Sequence, residues 1–289
     1  MMTITATARP ANFTRKSGSF VRRFAREGRL HLIPVYWLLR LSDFAREGME
    51  NSGSYRFADH MYRGIPSGRG LVGKWLDRLL LGLPAARSMR RRCFAATGSM
   101  HAAFARHLIQ HPSTPFRILT VPCGLPRDVR DFAASIARRN PALLRQIEYT
   151  GLDLDPAVIV AARDFLAGSS LESSRLMCGN ALQRSDYPAE PPHFISSTGL
   201  GEFLDDASLA QFYAHVFDAL APGGTFFTSA AARGRGSASL LKTFEFEVHY
   251  RTRTHVSRLL AHQAWDEVDL SHDRIGLQTF VNARKPIAE

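Results

Sequence analysis

Residues 117–128, RILTVPCGLPRD, constrain the fold more than any other stretch of the chain. Phe116, Ile118, Leu119 and Val121 form an apolar run of strand length, and the chain must then reverse within a few residues. The helix that follows carries Val129, Phe132, Ala133 and Ile136 on one face. A second apolar run ends on acids in YTGLDLDP, 149–156. This strand, turn, helix and acid-terminated strand make the first half of a nucleotide-type binding site. Gly124 permits close backbone approach, and free N–H groups at the helix start favour an anion, either a pyrophosphate or the carboxylate of an amino-acid-like ligand. Asp153, at the end of the next strand, can accept hydrogen bonds from a ribose diol. The turn has one glycine where a dinucleotide fingerprint has three, and Pro122, Leu125 and Pro126 crowd it. A dinucleotide is therefore disfavoured.

Beyond residue 110 the pattern alternates strand and helix, which predicts an α/β domain with a parallel sheet covered on both faces. Helices are expected at 157–167 and at 209–220, the second stopped by the Pro-Gly-Gly at 222–224. A strand (TFFTSAA), a glycine-rich linker (RGRGS, 233–237), a mixed segment, and closing strands near 265–270 and 277–283 complete the chain. Residues 1–19 are polar and read as a disordered tail. Phe20, Phe24, Leu30, Ile33, Trp37, Leu38, Leu41 and Phe44 fit one or two amphipathic helices broken at Pro34. Residues 51–70 read as a loop bearing Tyr55, His60, Tyr62 and Arg63, and helices follow at 71–83 and 85–110.

Charge divides the chain. Residues 1–110 hold 19 Lys and Arg against 6 Asp and Glu, whereas residues 111–289 hold 18 against 20, so the whole net charge of +11 comes from the N-terminal part. Most of these cations are arginines, which fork onto phosphates and carboxylates. They suit an acidic substrate or peripheral contact with an anionic surface, or simply form a solvated face. Strands with interleaved aromatics that would read a base sequence are missing, which argues against sequence-specific nucleic-acid binding. The three cysteines, Cys93, Cys123 and Cys178, share no metal-ligand spacing and make no disulfide framework, so no metal is expected and a reducing cytoplasm is the expected compartment. The longest apolar run, LHLIPVYWLL at 30–39, is about half a membrane span.

The order RILTVPCGLPRD, EYTGLDLDP, LMCGNAL (176–182), HFISSTGLGEFLDD (193–206) and LAPGGTFFTSAA (220–231) resembles the class I S-adenosylmethionine-dependent methyltransferases. The resemblance covers roughly residues 95–285 and implies a Rossmann-like, seven-stranded, doubly wound sheet with S-adenosylmethionine as cofactor. It implies that Pro122, Cys123 and Gly124 hold the methionine moiety, that Asp153 beside Leu154 binds the ribose hydroxyls, and that Asn180 with Ala181 faces the adenine. The family's E/D-x-G-x-G-x-G stands here as T-V-P-C-G-L-P, and its third-motif acid is Asn180. The stretch YRGIPSGRGLVGKWLDRLLLGLPAARSMRRR (62–92) is similar to the N-terminal extension of a poorly characterised bacterial subset with a Y-R-x-x-P-x-G…G…D pattern, which implies a helical cap over residues 20–110 and a cofactor domain over 111–289.

Methyl transfer from a sulfonium needs a nucleophile held in line and water excluded. Ser197, Thr198 and Glu202 follow the fourth strand, on the side where open α/β sheets bind ligands. Glu202 can be a base, an ammonium anchor or a helix-capping acid. Tyr55, Tyr62 and His249 are the remaining candidates for substrate contact, the tyrosines alternatively packing the helices. Cys123 reads as packing. Arg127, at a helix start, either holds the cofactor carboxylate or pairs with Asp131. The expected activity is methylation of a small-molecule or lipid-like acidic substrate. Two alternatives stay open: transfer or cyclisation of the aminobutyrate arm, as in nicotianamine and azetidine-2-carboxylate synthases, with release of methylthioadenosine, or a non-catalytic basic binding module.

Overall fold

The computed structural model describes residues 19–50, 54–171, 174–232 and 248–287, which fall into two compact units, one up to Gly82 and one from Leu83. The expected tail thus lies outside the described residues, except for Ser19, as does the RGRGS linker.

Among the described residues, five helices build the first unit: α1 (Ser19–Arg26), α2 (Leu32–Leu39), α3 (Asp43–Glu50), α4 (Tyr55–Arg63) and α5 (Gly70–Leu81). Pro34 lies in the first turn of α2 rather than at a break, where its missing N–H costs nothing. The loop expected at 51–70 is in large part α4. Ser54 caps it by accepting from the Phe57 N–H at 3.1 Å, and Gly64 closes it in the left-handed region at φ 62°. Phe57 stacks on Phe44 of α3 at 5.0 Å between centroids. Asp77 of α5, fully buried, ties the unit together. One carboxylate oxygen accepts from Ser42 Oγ (2.5 Å) and the Phe44 N–H (3.2 Å), the other from the N–H groups of Ser67 (2.8 Å) and Gly68 (2.7 Å).

The second unit starts with α6 (Pro84–Gln110), which packs on the sheet and on the helix after its first strand. The boundary expected at 110 therefore moves to 82. The resemblance of residues 62–92 to an N-terminal extension groups α6 with the preceding segment, but its Ala96, Met100, Ala103 and Phe104 are buried in the sheet unit's core.

The sheet strands are β1 (Phe116–Thr120), β2 (Ile147–Asp153), β3 (Ser174–Cys178), β4 (Phe194–Ser197), β5 (Thr225–Ala231), β6 (Glu267–His272) and β7 (Gln278–Arg284). Their order is β3-β2-β1-β4-β5-β7-β6, parallel throughout except that β7 runs antiparallel to both neighbours. Between them lie α7 (Arg127–Arg139), α8 (Pro156–Leu166), α9 (Asp206–Ala219) and α10 (Arg253–Leu260). Successive side chains of a strand point to opposite faces. Phe226 accordingly joins Ile195, Phe212, Val216 and Val256 in one core layer, while Phe227 joins Phe194, Met100, Phe104 and Phe132 in the other. The chain reverses its direction across the sheet between β1 and β4, so a crevice opens there at the carboxyl ends of the strands.

Candidate active site

Residues 121–126 are stitched to the strands on either side of β1. The Val121 N–H donates to Ser196 O at 3.0 Å, and the Cys123 N–H to Leu152 O at 2.8 Å. Gly124 turns back at φ 49°, and its N–H donates to Asp153 Oδ2 at 3.0 Å. Asp153 is a junction: its other oxygen accepts from the Asp155 N–H (3.2 Å) and its carbonyl from the Gly179 N–H (2.9 Å) after β3. The structure thus brings Cys123, Gly124, Asp153 and the start of the Asn180 segment together. Burial raises the Asp153 carboxyl above its usual range, against the pull of those N–H donors. Cys123 is buried, and burial with Asp153 nearby pushes its thiol up to about 12, so it packs as an uncharged group. Pro122 is half-buried beside it, and Leu154 is 51% exposed.

Asn180 folds the next loop. Its Oδ1 accepts from the Leu182 N–H at 2.9 Å, its N–H donates to Asp186 Oδ2 at 2.8 Å, and Ala181 O accepts from the Tyr187 hydroxyl at 2.8 Å.

At the first turn of α7 the structure separates two adjacent charges. Arg127 lies over the Phe165 ring of α8, 5.1 Å from its centroid. Asp128 faces β4: its Oδ1 accepts from the Val129 N–H at 3.0 Å and its Oδ2 from Ser196 Oγ at 3.5 Å. Burial raises its carboxyl despite these donors. Ser197 is buried, and its Oγ has no partner among the described residues, whereas Thr198 is half-buried.

Glu202 caps none of the described helices. Asp205 fills that role for α9, accepting from the Ser208 N–H at 2.8 Å. Glu202 Oε1 instead meets Arg92 Nη1 of α6 at 3.3 Å, with the two side chains only 12% and 4% exposed, and Gln278 Nε2 of β7 at 3.5 Å. Burial raises the Glu202 carboxyl, while Arg92 and then Gln278 pull it down. His249 reaches this place through its backbone N–H, which donates to Glu202 O at 2.8 Å, but its side chain is exposed. Buried Arg251 fastens the same turn, donating to Gly201 O (2.5 Å), Leu204 O (2.6 Å) and Asp206 Oδ1 (2.9 Å). Tyr55 and Tyr62 belong to α4 of the other unit, both half-buried, and Tyr55 Oη accepts from Arg56 Nε at 3.2 Å. Sequence reasoning missed Arg92, Asp128 and Gln278. Asp128 carried a signal, an acid in the first turn after the loop, but Arg92 was hidden in an arginine run.

The family described as "Putative methyltransferase" matches residues 40–232, more than half of the chain. The chain belongs to this methyltransferase family. No protein of curated function matches it. Among solved structures, the methyltransferase resembles a Bordetella parapertussis protein described as a "possible exported protein", with 20% identity, TM-score 0.69, and 88% of this chain and 87% of that one covered. It also resembles the CurJ carbon methyltransferase (15% identity, TM-score 0.57, 94% and 70% covered). A third likeness is to the S-adenosylmethionine-dependent methyltransferase SibL in its apo form (15% identity, TM-score 0.54, 92% and 77% covered). At these identities the likeness concerns the fold, which is that of the class I methyltransferases. The methyltransferase fits the cofactor of that class on its own residues: a part-buried carboxylate at the end of β2, a glycine turn against it, and an exposed apolar Leu154 alongside. Among the described residues no cluster of His, Cys, Asp or Glu is arranged to hold a metal.

Proposed function

We propose that this methyltransferase uses S-adenosylmethionine to methylate a small or lipid-like acidic acceptor by in-line displacement. The observation that carries the reading is the Asp153 carboxylate, held against the Gly124 N–H at the strand-order reversal. Each carboxylate oxygen of Asp153 has a lone pair beyond its backbone donor and can take a ribose hydroxyl. Leu154, exposed beside the Asn180–Ala181 turn, offers the adenine an apolar contact. Asp128 gives the first turn of α7 its own carboxylate, so an ammonium is favoured there and a second carboxylate is not. The family's first-motif acid is Thr120 in this chain, and Asp128 supplies a carboxylate close by. Arg127, engaged with Phe165, leaves the expected carboxylate-binding role to others.

S-Adenosylmethionine, when bound, supplies an electrophilic sulfonium methyl group. The protein's part is to exclude water and hold the acceptor in line. Ser197 offers a buried hydroxyl at the end of β4 for orienting the acceptor. Glu202, ion-paired to Arg92, positions the β4–α9 turn rather than taking the acceptor's proton. Calorimetry with S-adenosylmethionine tests the cofactor assignment: binding by the parent protein and its loss in Asp153→Ala are expected, and no binding by the parent would sink it. The irregular first loop, T-V-P-C-G-L-P, also favours a second reading in which the aminobutyrate arm reacts. Product analysis separates the two, S-adenosylhomocysteine marking methyl transfer and methylthioadenosine marking arm chemistry.

A further inference from the structure

Helix α5 turns apolar side chains outward. Leu71 is 88% exposed and Trp75 59%, and Val72 and Leu79 are each about half exposed. At 3.6 residues per turn these four fall within an arc of about 100°, a continuous stripe along the helix. Lys74 and Arg78, both exposed, border the stripe on one side. The one acid of the helix, Asp77, is fully buried and accepts four hydrogen bonds inside the unit, so the outward surface of α5 carries only positive charge. The same unit exposes Val35, Trp37 and Leu38 on α2. Up to Gly82 the sequence holds 14 Lys and Arg against 6 Asp and Glu.

A soluble monomer rarely leaves such a stripe uncovered. Its chemistry selects the cover. Two copies meeting face to face and antiparallel about a twofold axis would bring the Lys74 and Arg78 pairs together, like charge on like. The headgroup region of an anionic bilayer offers what the helix lacks: an apolar layer for Leu71, Val72, Trp75 and Leu79, and negative charge for the basic border. Tryptophan is the side chain that favours this boundary, apolar in body with one N–H donor at its edge. No described helix is long and apolar enough to cross a membrane, and α5 is 12 residues long.

We propose that α5 is an interfacial docking helix that seats the enzyme on an anionic phospholipid surface. The proposal is independent of the cofactor assignment, because its test reads binding alone. Full-length protein is sedimented with phosphatidylcholine vesicles and with vesicles containing about one-third phosphatidylglycerol. Binding to the anionic vesicles, weakened by salt and much poorer on phosphatidylcholine alone, is expected. Trp75→Ser with Leu79→Ser should weaken it by at least about tenfold, since each side chain gives up its apolar burial. Lys74→Glu with Arg78→Glu should remove the preference for anionic lipid. All four side chains are exposed, so unchanged circular dichroism melts are expected of both variants. Equal binding to the two vesicle types would overturn the proposal, as would a Trp75→Ser, Leu79→Ser variant that binds like its parent. So would analytical ultracentrifugation showing a dimer that this variant dissociates, together with no vesicle binding, because the stripe would then belong to a second copy.

Discussion

Arg127 and Asp128 are neighbours at the start of α7, and burial decides between them. An arginine at a helix N-terminus opposes the dipole. Here its guanidinium spreads over the Phe165 ring, where the cation meets the face of an aromatic quadrupole. Asp128 points to the crevice between β1 and β4 and accepts from the Val129 N–H and Ser196, while burial raises its carboxyl. Arg127→Ala should therefore leave S-adenosylmethionine affinity within about twofold, while Asp128→Asn, isosteric but uncharged, should weaken it about tenfold, the worth of one charge-assisted hydrogen bond. Calorimetry on the two variants decides it, and the reverse ranking would return the carboxylate-binding role to Arg127. Glu202 illustrates what one residue's sequence context hides. Its position after β4 was legible, but its partner lies 110 positions away in an arginine run, so the ion pair was not. Breaking a buried pair by removing one member costs about 3–5 kcal/mol. Glu202→Gln should lower thermal stability substantially, and Arg92→Met with Glu202→Met should recover part of that loss. A Glu202→Gln protein that melts like its parent but is inactive would instead make Glu202 the base.

Among elements, the 64–69 loop and α5 explain the Y-R-x-x-P-x-G…G…D pattern in packing terms. Asp77 holds the loop's N–H groups, and Gly73 lets α5 approach the backbone of Leu41 so closely that a Cβ would collide with its carbonyl oxygen. The pattern thus describes a fastening, which accounts for the glycines and the buried acid without any ligand. Asp77→Ala would orphan several buried donors at about 1–3 kcal/mol each, and Gly73→Ala would force α5 away from the backbone of Leu41. Either change should give the first unit a separate unfolding step at lower temperature, seen by circular dichroism or limited proteolysis. Unshifted melting of both variants would count against Asp77 as the unit's tie. The same region shows why α4 was unreadable. Ser54 and Gly64 are its caps, yet in a stretch dense in glycine and serine they looked like loop composition, and the helix between them is only nine residues. The longer helices were legible: α5 and α6 each fall within a few residues of the expected positions, because long periodic runs outweigh local composition.

For the molecule as a whole, strand alternation anticipated a parallel sheet covered on both faces, since right-handed crossovers leave few ways to join parallel strands, but not β7, which runs antiparallel to both its neighbours. The edge opposite the cofactor loop held something no motif announced. His107 and His193 pack at 4.3 Å between ring centroids, where α6 ends and β1 and β4 begin. His193 Nδ1 accepts from the Arg117 N–H at 3.1 Å, so its ring is neutral there, and a proton would abolish that acceptor. Burial, with the charges of His107 and Arg117, lowers His193 to about 4; burial lowers His107 and His101 as well. A histidine whose pKa falls on folding gives stability that is complete above its unfolded value, near 6.5, and is lost as pH drops toward the folded value. Asp128, Asp153 and Glu202 act oppositely: raised by burial, they take protons earlier in the folded protein and favour the fold as acid is added. One proton is worth at most about 1.4 kcal/mol per pH unit, and His193, only half-buried, contributes a fraction of that. Thermal melts from pH 8 to pH 4.5 should therefore fall more steeply for the parent than for His193→Gln, even if the variant starts lower at pH 8 for want of the Arg117 acceptor. Parallel curves would mean that His193 titrates alike in the folded and unfolded chains, and that the acid sensitivity arises elsewhere.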